Sequence, residues 1–269
     1  MRPTNALNGQ HAVPTQAMQE ALTILHTNDF HNRLTSTQAD RLKRLRDDLG
    51  PNGLLLDAGD AIGAGNVTFR PAGEPILNEM SEIGYDAMTV GNREFHVSRF
   101  GFCAKLKLAR FPVLCANVRP VRGRETAPVM SHICRDLPNG MRIVVLGVTV
   151  PMITERMASR RLSAYLFDDP IQAAARCAAQ LRATLRPNLL VALTHIGLSR
   201  DRELASAVPE IDLIIGGHTH DVLEKGERVG ETLIAQAGSH GRYVGRIDIE
   251  WDDARDRRPR FCATLEPLC

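Results

Sequence analysis

The chain has 269 residues, 43% of them hydrophobic and 24% charged, a composition that excludes fibrous, collagen-like and wholly disordered classes. Thirty-three Lys and Arg against 31 Asp and Glu leave a net charge of +2 with His neutral. That is too even for the concentrated basic field of a dedicated nucleic-acid binder. Six cysteines, at 103, 115, 134, 177, 262 and 269, form no C-x-x-C pair and no zinc-knuckle rhythm, so they are read as reduced, mostly buried small hydrophobes. The first twenty residues hold no apolar h-region, and the longest uncharged apolar stretch, Ile143 to Ile153, is broken by Gly147 and Pro151. The expectation is a soluble, cytoplasmic protein with no membrane partner.

In chain order, residues 1–20 read as a polar, mobile tail, and residues 21–269 as one domain. Leu22–His26 is a compact apolar strand, and Thr35–Leu49 a helix with Ala39, Leu42, Leu45 and Leu49 on one side. Leu54–Leu56 is a second strand, Pro75–Ile83 a short helix, and Ala87–Val90 a third strand. Further strands fall at Val113–Cys115, Ile143–Val148, Leu189–Leu193 and Ile211–Ile215. Residues 117–136, carrying Arg119, Arg122, Arg124, Pro120 and Pro128, read as a long excursion. Asp169-Pro170 opens the clearest helix, an acidic N-cap followed by Pro at the first helical position, with Ile171, Ala174, Ala178, Leu181 and Leu185 on its apolar side. Thr232–Gln236 and Val244–Trp251 follow as strands without a long helix between them. This order fits a doubly wound α/β core with a later antiparallel part.

The polar residues that stand out all follow strands. Asp29-Phe-His31, Asp57-Ala-Gly-Asp60, Gly91-Asn92-Arg93-Glu94, Thr194-His195 and Gly216-Gly-His218-Thr-His220 each sit where an α/β sheet gathers ligands. Singly each is weak. Together they supply two carboxylates, one amide oxygen and four imidazoles. That is an N/O set without thiolate, too large for one tetrahedral ion and suited to two ions roughly 3.5–4 Å apart.

The series D-x-H, G-D, G-N-x-E, T-H and G-H-x-H resembles the calcineurin-like metallophosphoesterases. Within them, His26-Thr-Asn-Asp-Phe-His31, Asp212-Leu-Ile-Ile-Gly-Gly-His-Thr-His220 and Gln236-Ala-Gly-Ser-His-Gly-Arg-Tyr-Val-Gly245 are similar to the catalytic domain of the 5′-nucleotidases, from about residue 22 to 251. The resemblance implies a four-layer α-β-β-α sandwich with two central mixed sheets. It implies two divalent metals (Mn, Zn, Fe or Co). Asp29, His31 and His220 fall to the first, Asn92, His195 and His218 to the second, and Asp60 bridges them. The implied substrate is a small phosphate ester, attacked in line by a metal-bridging hydroxide without a covalent phosphoenzyme.

Two departures from the family pattern bear on function. Where the family has the His of G-N-H-E, this chain has Arg93, and where an Asp commonly follows, it has His96. The expectation is a division of labour in which Arg93 grips phosphate oxygens and His96 protonates the leaving group. His240, in a Gly-Ser-His-Gly loop, is a further candidate for substrate phosphate, with Asn92 and Arg93. His26 and Asn28 are candidates for orienting the ligands, and Asp57 is set aside in favour of Asp60. The expectation is a catalytic domain without the C-terminal domain that stacks the nucleobase in two-domain 5′-nucleotidases, and with it broad selectivity. Rival readings are a nuclease or cyclic-nucleotide phosphodiesterase, which the near-neutral charge disfavours, and a catalytically weakened metal-binding interaction protein, which the complete ligand set disfavours. A second copy of the chain is left open as a partner.

Overall fold

The computed structural model describes residues 21–251 and 259–268, so the tail read over residues 1–20 lies outside the described residues. Two six-stranded sheets form its centre. In the first the order is β14 (Arg260–Pro267), β13 (Tyr243–Glu250), β1 (Ala21–Thr27), β2 (Leu54–Asp57), β3 (Ala87–Thr89) and β4 (Val113–Leu114). Strands β1 to β4 run parallel, while β13 and β14 close the sheet antiparallel. In the second the order is β11 (Glu227–Val229), β12 (Thr232–Ala235), β10 (Leu213–Ile215), β9 (Leu189–His195), β7 (Arg142–Thr149) and β6 (His132–Asp136), with β12, β10, β9 and β7 parallel.

The sheets stack because their strands are apolar on both faces. Leu22, Ile24, Leu54, Leu56 and Ala87 face Ile143, Val145, Leu189, Val191, Leu213 and Ile215 in a core between the sheets. The alternate residues Leu25, Leu55 and Met88 point outward, under α1 (Ser36–Asp48), α2 (Pro75–Ile83) and α3 (Arg99–Leu106). On the far side Val144, Leu146, Leu190, Ala192 and Ile214 lie under α4 (Pro170–Leu185) and α5 (Leu198–Ala207). The result is the α-β-β-α sandwich. The chain therefore does not form one doubly wound sheet, as its strand order alone suggested.

Local signals hold at the helix starts. Thr35 caps α1 in a capping box with Gln38, and the Asp169 side chain accepts the Gln172 N–H ahead of Pro170. The excursion at 117–136 contains two strands that composition concealed, β5 (Val118–Pro120), paired with β8 (Tyr165–Phe167), and the edge strand β6. β6 is HICRD, and it buries only Ile133 fully, so it carries no apolar run to read. The cysteines are less buried than expected: Cys115 is buried, whereas Cys134 on the edge strand β6 and Cys262 on the edge strand β14 are exposed. No described helix is long and apolar enough to cross a membrane.

At Gly147 on β7 the two sheets come close enough to exclude a side chain. A Cβ there would lie 2.5 Å from Leu114 Cβ and 2.8 Å from the Leu114 carbonyl oxygen, while the Gly147 carbonyl accepts the Ala116 N–H at 2.6 Å. Gly147→Ala should overpack the core between the sheets at a cost of about 1–3 kcal/mol. The expected result is a lower denaturant midpoint with an unchanged slope. An unchanged midpoint would show that β7 does not pass β4 so closely.

Candidate metal centre

All seven residues expected to ligate metal come together at the carboxyl ends of β1, β2, β3, β9 and β10. The loops that carry them are zipped to one another. Asp29 N–H donates to Gly59 O at 2.9 Å, His31 N–H to Asp60 O at 3.0 Å, and Asn32 N–H to Ala61 O at 2.8 Å. The price of aiming side chains inward from such tight turns is backbone strain. Asp29, His31, Asn32, Asp60, His218, His220 and His240 all have positive φ, and Arg186, at the end of α4, is the only other non-glycine residue described that does. Each costs roughly 1–3 kcal/mol, and strain of this kind clusters at functional sites. Gly91 lets the β3 loop approach, since a Cβ there would fall 2.2 Å from Asp60 Oδ1.

The side chains fall into two groups. In the first, His220 Nε2 is 3.3 Å and His31 Nε2 3.6 Å from Asp29 Oδ1, and the two imidazole nitrogens are 3.1 Å apart. In the second, Asn92 Oδ1 faces His218 Nδ1 at 3.1 Å and His195 Nε2 at 3.3 Å. Asp60 lies between the groups, with Oδ1 3.5 Å from His195 Nε2 and Oδ2 4.0 Å from His31 Nδ1. Asp29, Asp60 and His195 also lie close enough to share one ion.

The donor set fits cations. Asp29 is fully buried, and its Oδ2 is held by Asn28 Nδ2 at 2.8 Å and the His218 N–H at 2.9 Å, whereas Oδ1 accepts no hydrogen bond. A buried carboxylate oxygen left bare among imidazoles is costly unless a cation meets it. His195 Nδ1 donates to the Ala58 carbonyl at 2.7 Å, which turns Nε2 toward Asp60 and Asn92. Nitrogen and oxygen ligands without thiolate suit Mn, Zn, Fe and Co.

Two buried groups of opposite charge hold the β2 and β3 loops in place. Glu94 accepts the N–H groups of Gly91 at 2.7 Å, Asp60 at 2.9 Å and Ile62 at 3.1 Å. Burial, with the Asp60 charge behind it, pushes the Glu94 carboxyl up to about 7. Lys105, also fully buried, donates to the carbonyls of Arg93 at 2.6 Å, Phe95 at 2.8 Å and Gly65 at 2.8 Å. Burial brings its ammonium down to about 8 against the pull of Glu94 and Glu74. One side chain thus collects the loops' N–H groups and the other their C=O groups. Behind His195, Asp201 accepts from Thr194 Oγ1 at 2.6 Å, and burial raises its carboxyl to about 7. Burial opposes charge on His195 itself, but the hydrogen bond and charge of Asp60 prevail and hold the ring up at about 9.

The remaining residues named from the sequence are placed differently. Arg93 faces the centre, its Nε 3.9 Å from Asp60 Oδ2 and shielded without a hydrogen-bond partner. The His240 ring is 5.5 Å from that of His31 and 5.9 Å from that of His220. His96 is turned aside: its Nδ1 accepts from the Ser98 N–H at 3.0 Å and its ring stands edge-on to Phe69, 5.0 Å between centroids. No hydrogen bond or ion pair among the described residues joins His96 to the seven. Asp57 is a strand-end support, accepting from Thr27 Oγ1 and the Gly59 N–H. Sequence reasoning missed Lys105 and Asp201. Lys105 stands one turn after Phe102 and Gly101 on the apolar side of α3, and a lysine in an apolar stripe is a signal that could have found it.

A model of the calcineurin-like phosphoesterases matches residues 22–222. The chain is 32% identical over 271 residues to the trifunctional nucleotide phosphoesterase YfkN of Bacillus subtilis, covering 86% of this chain and 18% of that protein. It is 31% identical over 272 residues to the 5′-nucleotidase of Vibrio cholerae, covering 86% and 49%. The solved 5′-nucleotidase precursor of Thermus thermophilus superposes with a TM-score of 0.71 at 25% identity, over 92% of this chain and 55% of that one. The solved phosphoesterase YfkN chain superposes with a TM-score of 0.73 at 22% identity, over 93% and 91%. The chain thus spans about half or less of the length of these curated relatives.

His26, three residues before Asp29, gives a pH signature. It is buried against Gly245, its Nδ1 has no partner, and burial pulls the ring from 6.5 down to about 4. The unfolded chain therefore binds a proton that the folded chain refuses, so this contribution to stability is present above pH 6.5 and lost as pH falls toward 4. Denaturant midpoints should fall more steeply from neutral to acid pH in the parent than in His26→Gln. Equal slopes would remove His26 as the cause.

Proposed function

The chain belongs to the calcineurin-like phosphoesterases, and from that membership we propose that it hydrolyses small phosphate monoesters at a centre of two divalent cations. The observation that carries this reading is the bare Oδ1 of buried Asp29 between His31 and His220, with Asp60 reaching from that group toward His195. Asp29, His31 and His220 would hold one cation, Asn92, His195 and His218 the other, and Asp60 both. Cations there would supply Lewis-acid charge to the phosphate and bring water near ionisation at neutral pH.

The chain's own groups set the rest. Arg93 brings a planar, permanently charged fork to the rim, 43% exposed and beside Asp60, where it can grip phosphate oxygens as negative charge builds on them. His240 completes the wall on the side of His31 and His220. His96 accepts the Ser98 N–H on Nδ1, which holds it as a neutral imidazole with no proton to give at neutral pH. That ring is also turned from the ligands toward Ser98 and Phe69, so the leaving-group proton expected of it from the sequence is not assigned to it. Residues 21–269 act in this reading as one catalytic unit.

Chelation should abolish turnover of 4-nitrophenyl phosphate, and readdition of Mn²⁺ or Zn²⁺ should restore it; full activity after chelation would rule out metal-dependent hydrolysis. Arg93→Ala should lower kcat/KM on every ester. His96→Ala should leave the ratio of alkyl phosphate to nitrophenyl phosphate turnover unchanged, because its ring faces Ser98 and Phe69. A loss of about 10²–10⁴-fold confined to the alkyl ester would restore His96 as the leaving-group acid.

A further inference from the structure

Six large apolar side chains stand exposed among the described residues, and four of them share one surface. They are Val67, Phe100, Met157 and Leu162, at 74%, 68%, 41% and 82% exposure. Backbone bonds set the segments that carry them side by side. Val97 N–H donates to the Asn66 carbonyl at 3.3 Å, Ala164 N–H to Val97 at 2.8 Å and Val121 N–H to Ala164 at 3.0 Å. The Phe69 and Phe100 rings stand edge to face, 5.5 Å between centroids, and Leu162 shares a cavity of about 390 Å³ with Arg99 and Arg124. Single apolar residues on a surface are ordinary, but a contiguous group calls for something to cover it. The short 3₁₀ turn Ala158–Arg161, between Met157 and Leu162, buries none of its own residues, so packing within the chain does not account for these two.

The same surface is strongly cationic. Residues 66–70, 97–100, 121–125 and 155–164 carry seven Arg and two Glu, in a chain whose whole net charge is +2. Both carboxylates are already taken, Glu125 by Arg99 at 2.7 Å, and Glu155 by Arg119 at 2.8 Å and Arg160 at 3.0 Å. Arg122, Arg124, Arg156 and Arg161 are exposed and form no ion pair among the described residues. Apolar tips set among unpaired arginines call for an occupant that is anionic at its surface and apolar beneath. The tips also stand on separate supports: a loop turn, the first turn of α3, and the two ends of the 3₁₀ turn. A fluid interface accepts such tips without shape complementarity, whereas a folded partner must match their outline.

We propose that this surface docks on an anionic lipid bilayer, with Val67, Phe100, Met157 and Leu162 entering the interfacial layer and the unpaired arginines meeting headgroup phosphates. Docking of this kind needs no spanning helix, so it departs from the sequence expectation of no membrane partner without requiring a longer apolar run. The surface adjoins the metal centre. Phe69 meets His96 edge-on, and Lys105 Nζ donates to both the Gly65 and Arg93 carbonyls, which ties the Val67 loop to the loop that bears Arg93. A docked chain therefore holds its metal centre beside the bilayer. The proposal goes beyond the phosphoesterase reading and does not depend on it.

The test is co-sedimentation of the whole chain with vesicles, either of phosphatidylcholine alone or of equal parts phosphatidylcholine and phosphatidylglycerol. The parent should pellet with the anionic vesicles and stay in solution with the neutral ones, and added salt should release it. Phe100→Ser combined with Leu162→Ser, checked for an unchanged thermal melt, should weaken binding by about ten-fold or more, the worth of burying one such side chain. Arg122→Gln combined with Arg124→Gln should weaken it by roughly five-fold for each charge removed. Met130→Ser, at an apolar residue exposed beside β4 and away from this surface, should bind as the parent does. Absence of parent binding to anionic vesicles, equal binding to both kinds, or binding untouched by either double variant would overturn the proposal. Binding to soluble polyglutamate that matches vesicle binding and survives Phe100→Ser with Leu162→Ser would point to an acidic protein instead. Self-association in light scattering that the same pair abolishes, without vesicle binding, would give the surface to a second copy and equally overturn the bilayer.

Discussion

Two carboxylates, Asp29 and Asp60, are buried at one point where the ends of two sheets converge, and the local structure is arranged to tolerate that. Burying a carboxylate costs several kcal/mol unless charge or hydrogen bonds compensate. Asp29 receives two hydrogen bonds on Oδ2 and none on Oδ1, and Asp60 receives the Arg93 N–H on Oδ1 at 2.7 Å. The unmet oxygens face imidazoles and the Arg93 guanidinium. Metal affinity in such a site comes from partial satisfaction: each ligand is oriented by one bond and left open on the side where the cation sits.

Holding the ligands open requires a rigid frame, and the frame is polar as well as apolar. The core between the sheets fixes the strand ends, but the loops that continue them have no strand partners for their backbone groups. Glu94 and Lys105 take over that role from opposite sides, and with Asn28 and Asp201 they form a buried polar shell that the hydrophobic core could not supply. Left-handed backbone at Asp29, His31, Asp60, His218 and His220 stays populated because this shell over-determines it.

Much of the site was legible in the sequence because its residues sit at strand ends, and strands such as Leu54–Leu56 and Leu189–Leu193 announce themselves by apolar runs. All seven expected ligands converge. Less was legible about the fold from periodicity alone. A run such as Leu54-Leu55-Leu56 shows that both faces are covered but not what covers them. A helix above and a second sheet below look the same as helices on both sides, and only the family resemblance supplied two sheets. β6 was hidden because an edge strand that buries one residue has no pattern. Side-chain direction was illegible too: His96 follows Glu94 by two residues, yet Ser98 and Phe69 turn its ring away from the ligands. Lys105 pairs with backbone carbonyls, which leave no mark in sequence.

Electron paramagnetic resonance of the metal-depleted protein reloaded with about two equivalents of Mn²⁺ reads the arrangement most directly. Two ions bridged by Asp60 at roughly 3.5–4 Å should be exchange-coupled. The expected result is a broad coupled-pair spectrum at full loading that gives way to isolated-ion lines in Asp60→Asn. Six-line spectra of isolated Mn²⁺ at every loading in the parent would contradict a shared centre.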